Sequence, residues 1–247
     1  MENAQLIGLS RQMVLRRELD VIANNLANIE TGGYRRHAMM FEEHIMPVAQ
    51  FQTERAIDRN LSYVSDRATY VDFDPGALKR SGNPLDVAIT GPGWFAVETP
   101  DGERYTRNGS FQINTDGELI TTEGYRVLGN AGPVLVGQNA ADIEIAGDGT
   151  ISTADQELGQ LRVVEFEDMN GLDADGTTTF ASEVPPVAAT QSAVVQGMVE
   201  GSNVQGVTEV TRMIEVTRTY VSVSQMISRM NELREEAIDG LARVPQA

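Results

Sequence analysis

The chain has 247 residues, 41% of them apolar, which is enough to bury the core of one large or two small domains and places it among globular proteins. Its formal net charge of −17 repels phosphate backbones and anionic lipid headgroups, so neither nucleic acid nor a membrane surface is an expected partner. The absence of cysteine excludes disulfides, a thiolate nucleophile and thiolate metal sites, and no apolar run reaches the roughly 18 residues that direct membrane insertion requires.

The first element is a helix expected over about residues 2–29, because Leu15, Leu19, Ile22, Leu26 and Ile29 recur at spacings of four and three. Thr31-Gly32-Gly33 ends it, the glycines supplying a helix stop and a change of direction. Its start, Met1-Glu2-Asn3-Ala4, lacks the basic lead and apolar core of a signal peptide, so no cleaved signal is expected. Residues 35–75 show no sustained period and read as an extended connector.

From residue 76 to 185 the texture is that of an antiparallel β domain, in which short apolar or alternating runs are separated by Gly91-Pro92-Gly93, Pro100-Asp101-Gly102, Asp116-Gly117 and Asp148-Gly149. Candidate strands are residues 85–89, 94–98, 111–114, 118–121, 126–128, 143–145 and 160–166. The charge is concentrated in this region: residues 61–199 carry 21 acids and seven bases, a net −14, which suits a solvated body. Pro185-Pro186 opens a return linker over residues 186–206. A last helix is expected over 207–247, with Met213, Val216, Tyr220, Val223, Ile227 and Met230 at the a and d positions of a heptad. Val210, Ile214, Val221, Met226, Leu233 and Ile238 lie off that seam, so this helix expects several neighbours. They would stay exposed in a lone subunit, and the two ends are therefore expected to order only on joining others. If the ends pair, Leu26 is expected near Val223, Ile227 or Met230, within or between subunits.

The stretch Ala23-Asn24-Asn25-Leu26-Ala27-Asn28-Ile29-Glu30-Thr31-Gly32-Gly33-Tyr34-Arg35 resembles the signature of the flagellar basal-body rod and hook protein family. Two further stretches are similar to the same family: Gly82-Asn83-Pro84-Leu85-Asp86-Val87-Ala88-Ile89 through Tyr105-Thr106-Arg107-Asn108-Gly109, and Met213-Ile214 with Arg218-Thr219-Tyr220. The departures are Tyr34, where phenylalanine is commoner, and Gln205-Gly206 in place of an Asn-Pro-like pair.

The resemblance implies an α+β fold in which N- and C-terminal helices form a coiled-coil-like bundle and a central, mostly antiparallel β domain lies between them in sequence. It implies a structural subunit of the proximal rod, with distal-rod and hook-type subunits as the alternatives. Implied partners are other copies, neighbouring rod proteins and the flagellar type III export apparatus, and the implied location is the rod of the basal body. No cofactor and no enzymatic activity are expected. Assembly residues implied are Asn24, Asn25, Leu26, Asn28, Ile29, Thr31, Gly33 and Tyr34 in the signature, with the six seam positions of the last helix. Asn24 and Asn28 are one helical turn apart, so their amides can bond across to neighbouring helices or cap their own helix end.

Other stretches suggest chemistry but lack its parts. Gly91-Pro92-Gly93 has no third glycine and no following helix, and reads as a tight turn feeding a strand that starts at Trp94. Asp173-Ala174-Asp175-Gly176 resembles a calcium loop but has Gly171 and Ser182 at two ligand positions, and Glu144–Asp155 has Ala146 at a third. His37 and His44 are too far apart along the chain for a joint metal site, and no nucleophile set is local to them. A hydrolase on a β scaffold would need convergent histidines and acids, and both histidines fall outside the β region. An extracellular binding module would leave the two apolar ends without a purpose.

Overall fold

A computed structural model of the chain describes residues 2–46, 61–137, 143–154 and 156–242. Contacts divide it into two units: a helical one containing both terminal helices and residues 37–70, and a β unit made of residues 28–36 and 71–204.

In the helical unit, α1 (Glu2–Ala27) and α2 (Gly206–Ala242) pair along the heptad seam. Leu15 and Ile22 of α1 bury against Val216 and Val223 of α2, flanked by Leu19, Met213, Tyr220 and Ile227. Both buried pairs are seven residues apart, the repeat that keeps a seam on one side of a helix. The helices run antiparallel, because Gly8 lies against the Ile227 side chain while Glu18, farther along α1, meets Arg212 at 2.9 Å. This direction corrects one expectation: within a subunit the end of α1 lies toward the start of α2, so Leu26 does not face Val223, Ile227 or Met230. A periodic pattern reports the face of a helix and not its polarity.

The stretch read as an extended connector carries two paired strands, β1 (His37–Met46) and β2 (Leu61–Val71). Residues 47–60 of that connector lie outside the described residues. His37 ties β1 to α1: its N–H donates to the Asn25 Oδ1 at 2.9 Å, and its carbonyl accepts from the Asn25 Nδ2 at 2.8 Å.

The strands of the β unit are β3 (Leu78–Arg80), β4 (Val87–Thr90), β5 (Trp94–Thr99), β6 (Gly102–Thr106), β7 (Phe111–Ile113), β8 (Leu119–Thr121), β9 (Arg126–Gly129), β10 (Gly132–Pro133), β11 (Glu144–Ile145), β12 (Thr150–Ser152), β13 (Glu157–Gln160), β14 (Val163–Glu165), β15 (Leu172–Ala174), β16 (Thr179–Ser182), β17 (Val187–Ala188), β18 (Ala193–Gln196) and β19 (Met198–Glu200). Its main antiparallel sheet runs β15-β16-β6-β5-β9-β8-β7. Side chains on β5 alternate between two cores: Phe95 and Val97 join Phe111, Leu119 and Ile151, whereas Trp94 and Ala96 join Tyr105, Phe166 and Phe180. β5 is therefore buried on both faces, which is why residues 94–97 read as a continuous apolar run.

The return linker also holds strands. β18 pairs antiparallel with β4, and β19 with β3, so the outgoing chain of the β unit zips onto the incoming chain. The pairing partners are more than a hundred residues apart, and no local pattern in residues 186–206 announces it.

Candidate functional site

The signature leaves α1 and enters the β unit, where its last residues form a buried clamp. After Ala27 the chain turns: the Thr31 N–H donates to the Asn28 carbonyl at 3.2 Å, and its hydroxyl reaches the Asn28 Oδ1 at 3.2 Å. Gly33 then takes a φ of +70° and donates its N–H to the Glu200 carbonyl at 2.8 Å. An added Cβ there would lie 2.3 Å from the Asn108 nitrogen, so both the conformation and the close approach demand glycine. Tyr34 follows, fully buried.

Next to it the Arg35 side chain is 0% exposed, and its guanidinium meets the Glu200 carboxylate at 2.7 Å. Arg35 Nη1 also donates to the Asp74 carbonyl at 3.1 Å. Glu200 accepts from the Gly76 N–H at 2.9 Å and faces Arg107 Nη1 at 3.5 Å, while Arg107 Nη2 donates to the Gly91 carbonyl at 2.7 Å. Both guanidiniums stand over the Trp94 ring, Arg107 at 5.2 Å and Arg35 at 5.9 Å from its centroid, which favours the cations electrostatically. Trp94 in turn makes edge contacts with Phe73 and Phe180.

Burial lowers Arg107 to about 10; Glu200 pulls the other way and the second guanidinium, Arg35, adds to the lowering. It stays protonated at neutral pH, so one carboxylate serves two buried cations. Asn203 closes the arrangement, accepting from the Arg36 N–H at 2.7 Å and donating to the carbonyls of Asp72 and Asp74 at 2.8 and 3.0 Å. Three chain passages, residues 33–36, 72–77 and 200–204, are thereby fastened together inside the β unit.

The structure thus separates the sequence-selected residues into groups. Asn25 is buried and bonded to the backbone of His37, and Gly33 and Tyr34 are buried in the β unit. Val216 and Val223 are buried in the helix seam, with Met213, Tyr220 and Ile227 at its margins. Asn24 is exposed, and Leu26, Asn28, Ile29, Thr31 and Met230 are half-buried. The clamp residues Arg107, Trp94 and Glu200 were not among the selected ones. The signal for them was the Tyr105–Gly109 motif and a lone glutamate at the end of a β-rich segment.

Among the described residues no group of three or more His, Asp or Glu stands where it could hold a metal ion. Asp175 of the calcium-like loop pairs with Arg104. His37 is lowered from its ordinary pKa by burial, and the side chain of His44 lies outside the described residues.

A second buried acid fastens the return passage. Glu165 Oε1 accepts from the N–H groups of Thr190 and Gln191 at 3.1 and 2.9 Å and from the Ser192 hydroxyl at 2.7 Å. Burial alone raises its pKa, but these donors outweigh it and the net shift is downward. A depressed carboxyl contributes stability above its unfolded pKa and loses it as pH falls through the folded one. The Gln191 amide resonance is therefore expected to hold its position from neutral pH into the glutamate range and to move upfield below it. In Glu165→Gln that acid transition is expected to vanish.

The family described as Flagella basal body rod protein matches residues 6–35, that of the Flagellar hook protein FlgE/F/G D1 domain matches 88–153, and that of the Flagellar basal body rod FlgEFG protein C-terminal matches 195–239. The chain is 34% identical over 249 residues to the flagellar basal-body rod protein FlgF of Caulobacter vibrioides, covering 99% of this chain and 100% of that protein. It is 33% identical to FlgF of Mesorhizobium japonicum, covering 98% of each. FlgG of Agrobacterium fabrum is 35% identical but covers 87% of this chain and 90% of that protein, so coverage rather than identity separates the two types. The chain belongs to the flagellar basal-body rod protein family and is similar to its FlgF members from end to end.

Proposed function

We propose that this chain is a structural, non-enzymatic subunit of the proximal flagellar rod, polymerising with its own copies and with other rod proteins through α1 and α2 to transmit torque. The observation that carries this reading is the apolar surface left on the helices after they pair. Leu6, Leu9 and Met13 on α1, and Val210, Ile214, Val221, Met226, Leu233 and Ile238 on α2, are all exposed. So much apolar surface off the seam calls for further helices. Asn24, Leu26, Asn28, Ile29, Thr31 and Met230 belong to this assembly surface or its edge. Asn25, Gly33, Tyr34, Val216 and Val223 serve it from inside the subunit by holding the helix and the signature in place. Export by the flagellar type III system, with the ends completing their folding on the growing rod, is consistent with the same exposed faces.

Ile214→Glu combined with Val221→Glu tests the reading. Both sites are exposed in the single chain, so secretion and the fold of the β unit are expected to be unchanged. Incorporation into basal bodies and swimming are expected to be lost, because two charges would be buried without partners at a packed interface. Normal swimming would contradict assembly through this face.

A further inference from the structure

We propose that the cavity beside Arg107 is a socket for an acidic, proline-containing segment, residues 183–187, of a second copy of this chain. The cavity, of about 520 Å³, has apolar walls from Phe73, Pro75, Leu78 and Pro92, with Arg107 and Glu200 also lining it. Arg107 is nine-tenths buried or more, and its Nε–H has no hydrogen-bond partner among the described residues. Among the described residues two buried guanidiniums share the single Glu200 carboxylate, which leaves the cluster one negative charge short. Asp74 also borders the cavity, but Asp74 is exposed and it is its backbone carbonyl that meets Arg35. The fitting ligand carries a carboxylate next to apolar groups.

The same β unit displays such a segment. Glu183-Val184-Pro185-Pro186-Val187 follows β16, with Glu183 exposed and Val184 and Val187 exposed by 49% and 44%. Among the described residues the unit exposes four large apolar side chains; Leu78 borders the cavity, and Val184 and Val187 flank the two prolines. Pro185-Pro186 biases the segment toward an extended polyproline conformation, which docks against aromatic side chains, here Phe73, with little loss of entropy. Pairing of Val187 with Glu165 holds its end on the surface of the sheet. One surface feature therefore matches the socket in apolarity and in charge. The contact joins β units of neighbouring copies and does not depend on the helices.

Trp94, the only tryptophan, touches Arg107 and reports on the site. Full-length protein titrated with the peptide Ala181–Ala189 is expected to show a saturable change in Trp94 emission. Glu183→Gln in the peptide is expected to weaken binding by about tenfold, the loss of one charge-assisted contact. Leu78→Asp in the protein, outside the clamp, is expected to weaken it likewise without lowering the melting temperature. In this cysteine-free chain, Leu78→Cys and Val184→Cys carried by separate copies are expected to form a disulfide only when mixed. Equal affinity of the Glu183→Gln peptide, indifference to Leu78→Asp, or no saturable response would each overturn the proposal, as would absence of the mixed disulfide.

Discussion

Glu200→Gln is expected to lower the stability of the β unit by about 3–5 kcal/mol, the cost of removing one partner from a buried ion cluster. The carboxylate is 1% exposed and, among the described residues, is the one acid paired with both the Arg35 and the Arg107 guanidiniums. The glutamine leaves two like charges facing each other in a dry site. Read from Trp94 emission in urea, the midpoint is expected to fall by about 1–2 M with an unchanged slope. Two comparisons separate this mechanism from a generic loss of charge. Arg107→Met leaves a balanced Arg35–Glu200 pair and is expected to cost less than Glu200→Gln, although it forfeits the bond to the Gly91 carbonyl. Glu103→Gln removes a partner of Arg162 from a pair about one-third exposed, and is expected to cost less than about 1 kcal/mol. Should Arg107→Met prove the more damaging, the excess positive charge of the cluster is not what Glu200 answers.

The second large effect is expected at Gly33. An alanine there must adopt a positive φ and place its Cβ 2.3 Å from the Asn108 nitrogen and 2.6 Å from the Arg107 carbonyl carbon. Backbone cannot yield as a side chain end can, so the signature itself must move. That breaks the Gly33–Glu200 hydrogen bond and draws Arg35 from its carboxylate. A loss of at least about 3 kcal/mol is expected, from strain at the left-handed conformation and steric displacement together. Gly82 provides the control: its φ is +77°, but nothing lies within 4 Å of an added Cβ. Gly82→Ala is expected to cost about 1 kcal/mol, the conformational part alone. Equal effects at the two glycines would show that close packing on Arg107 and Asn108 does not matter.

The helices were legible because their pattern is local. Leu15, Ile22, Val216 and Val223 stand at heptad spacing, and Gly32-Gly33 marks where the first helix must stop. The central strands were legible for the same reason, since the apolar run of β5 and the Asp-Gly turns lie within a few residues of each other. Illegible features depend on partners remote in sequence. β19 exists because Met198, Val199 and Glu200 find Arg80, Lys79 and Leu78. β1 and β2 rest on pairing across residues 47–60. Arg35 and Glu200 are far apart in the chain and unremarkable alone, and nothing near either residue reveals that both are buried.

The clamp changes how the signature is understood. Its asparagine-rich first half ends a helix, whereas Gly33, Tyr34 and Arg35 are consumed inside the β unit. A substitution in the second half is thus expected to act first on the subunit and only then on the rod. A substitution at Asn24, exposed on α1, acts on whatever packs there.

The central claim, that α1 and α2 assemble the rod through faces left exposed by their own pairing, is tested most directly by disulfide mapping in isolated basal bodies. The chain has no cysteine of its own, so Met13→Cys with Val221→Cys introduces the only two thiols of the subunit. Both positions are exposed and off the seam. Oxidation is expected to give a ladder of covalently linked subunits, and a control pair at Leu15 and Val216 is expected to give intrachain links alone. A ladder from the seam pair and none from the outer pair would contradict the account.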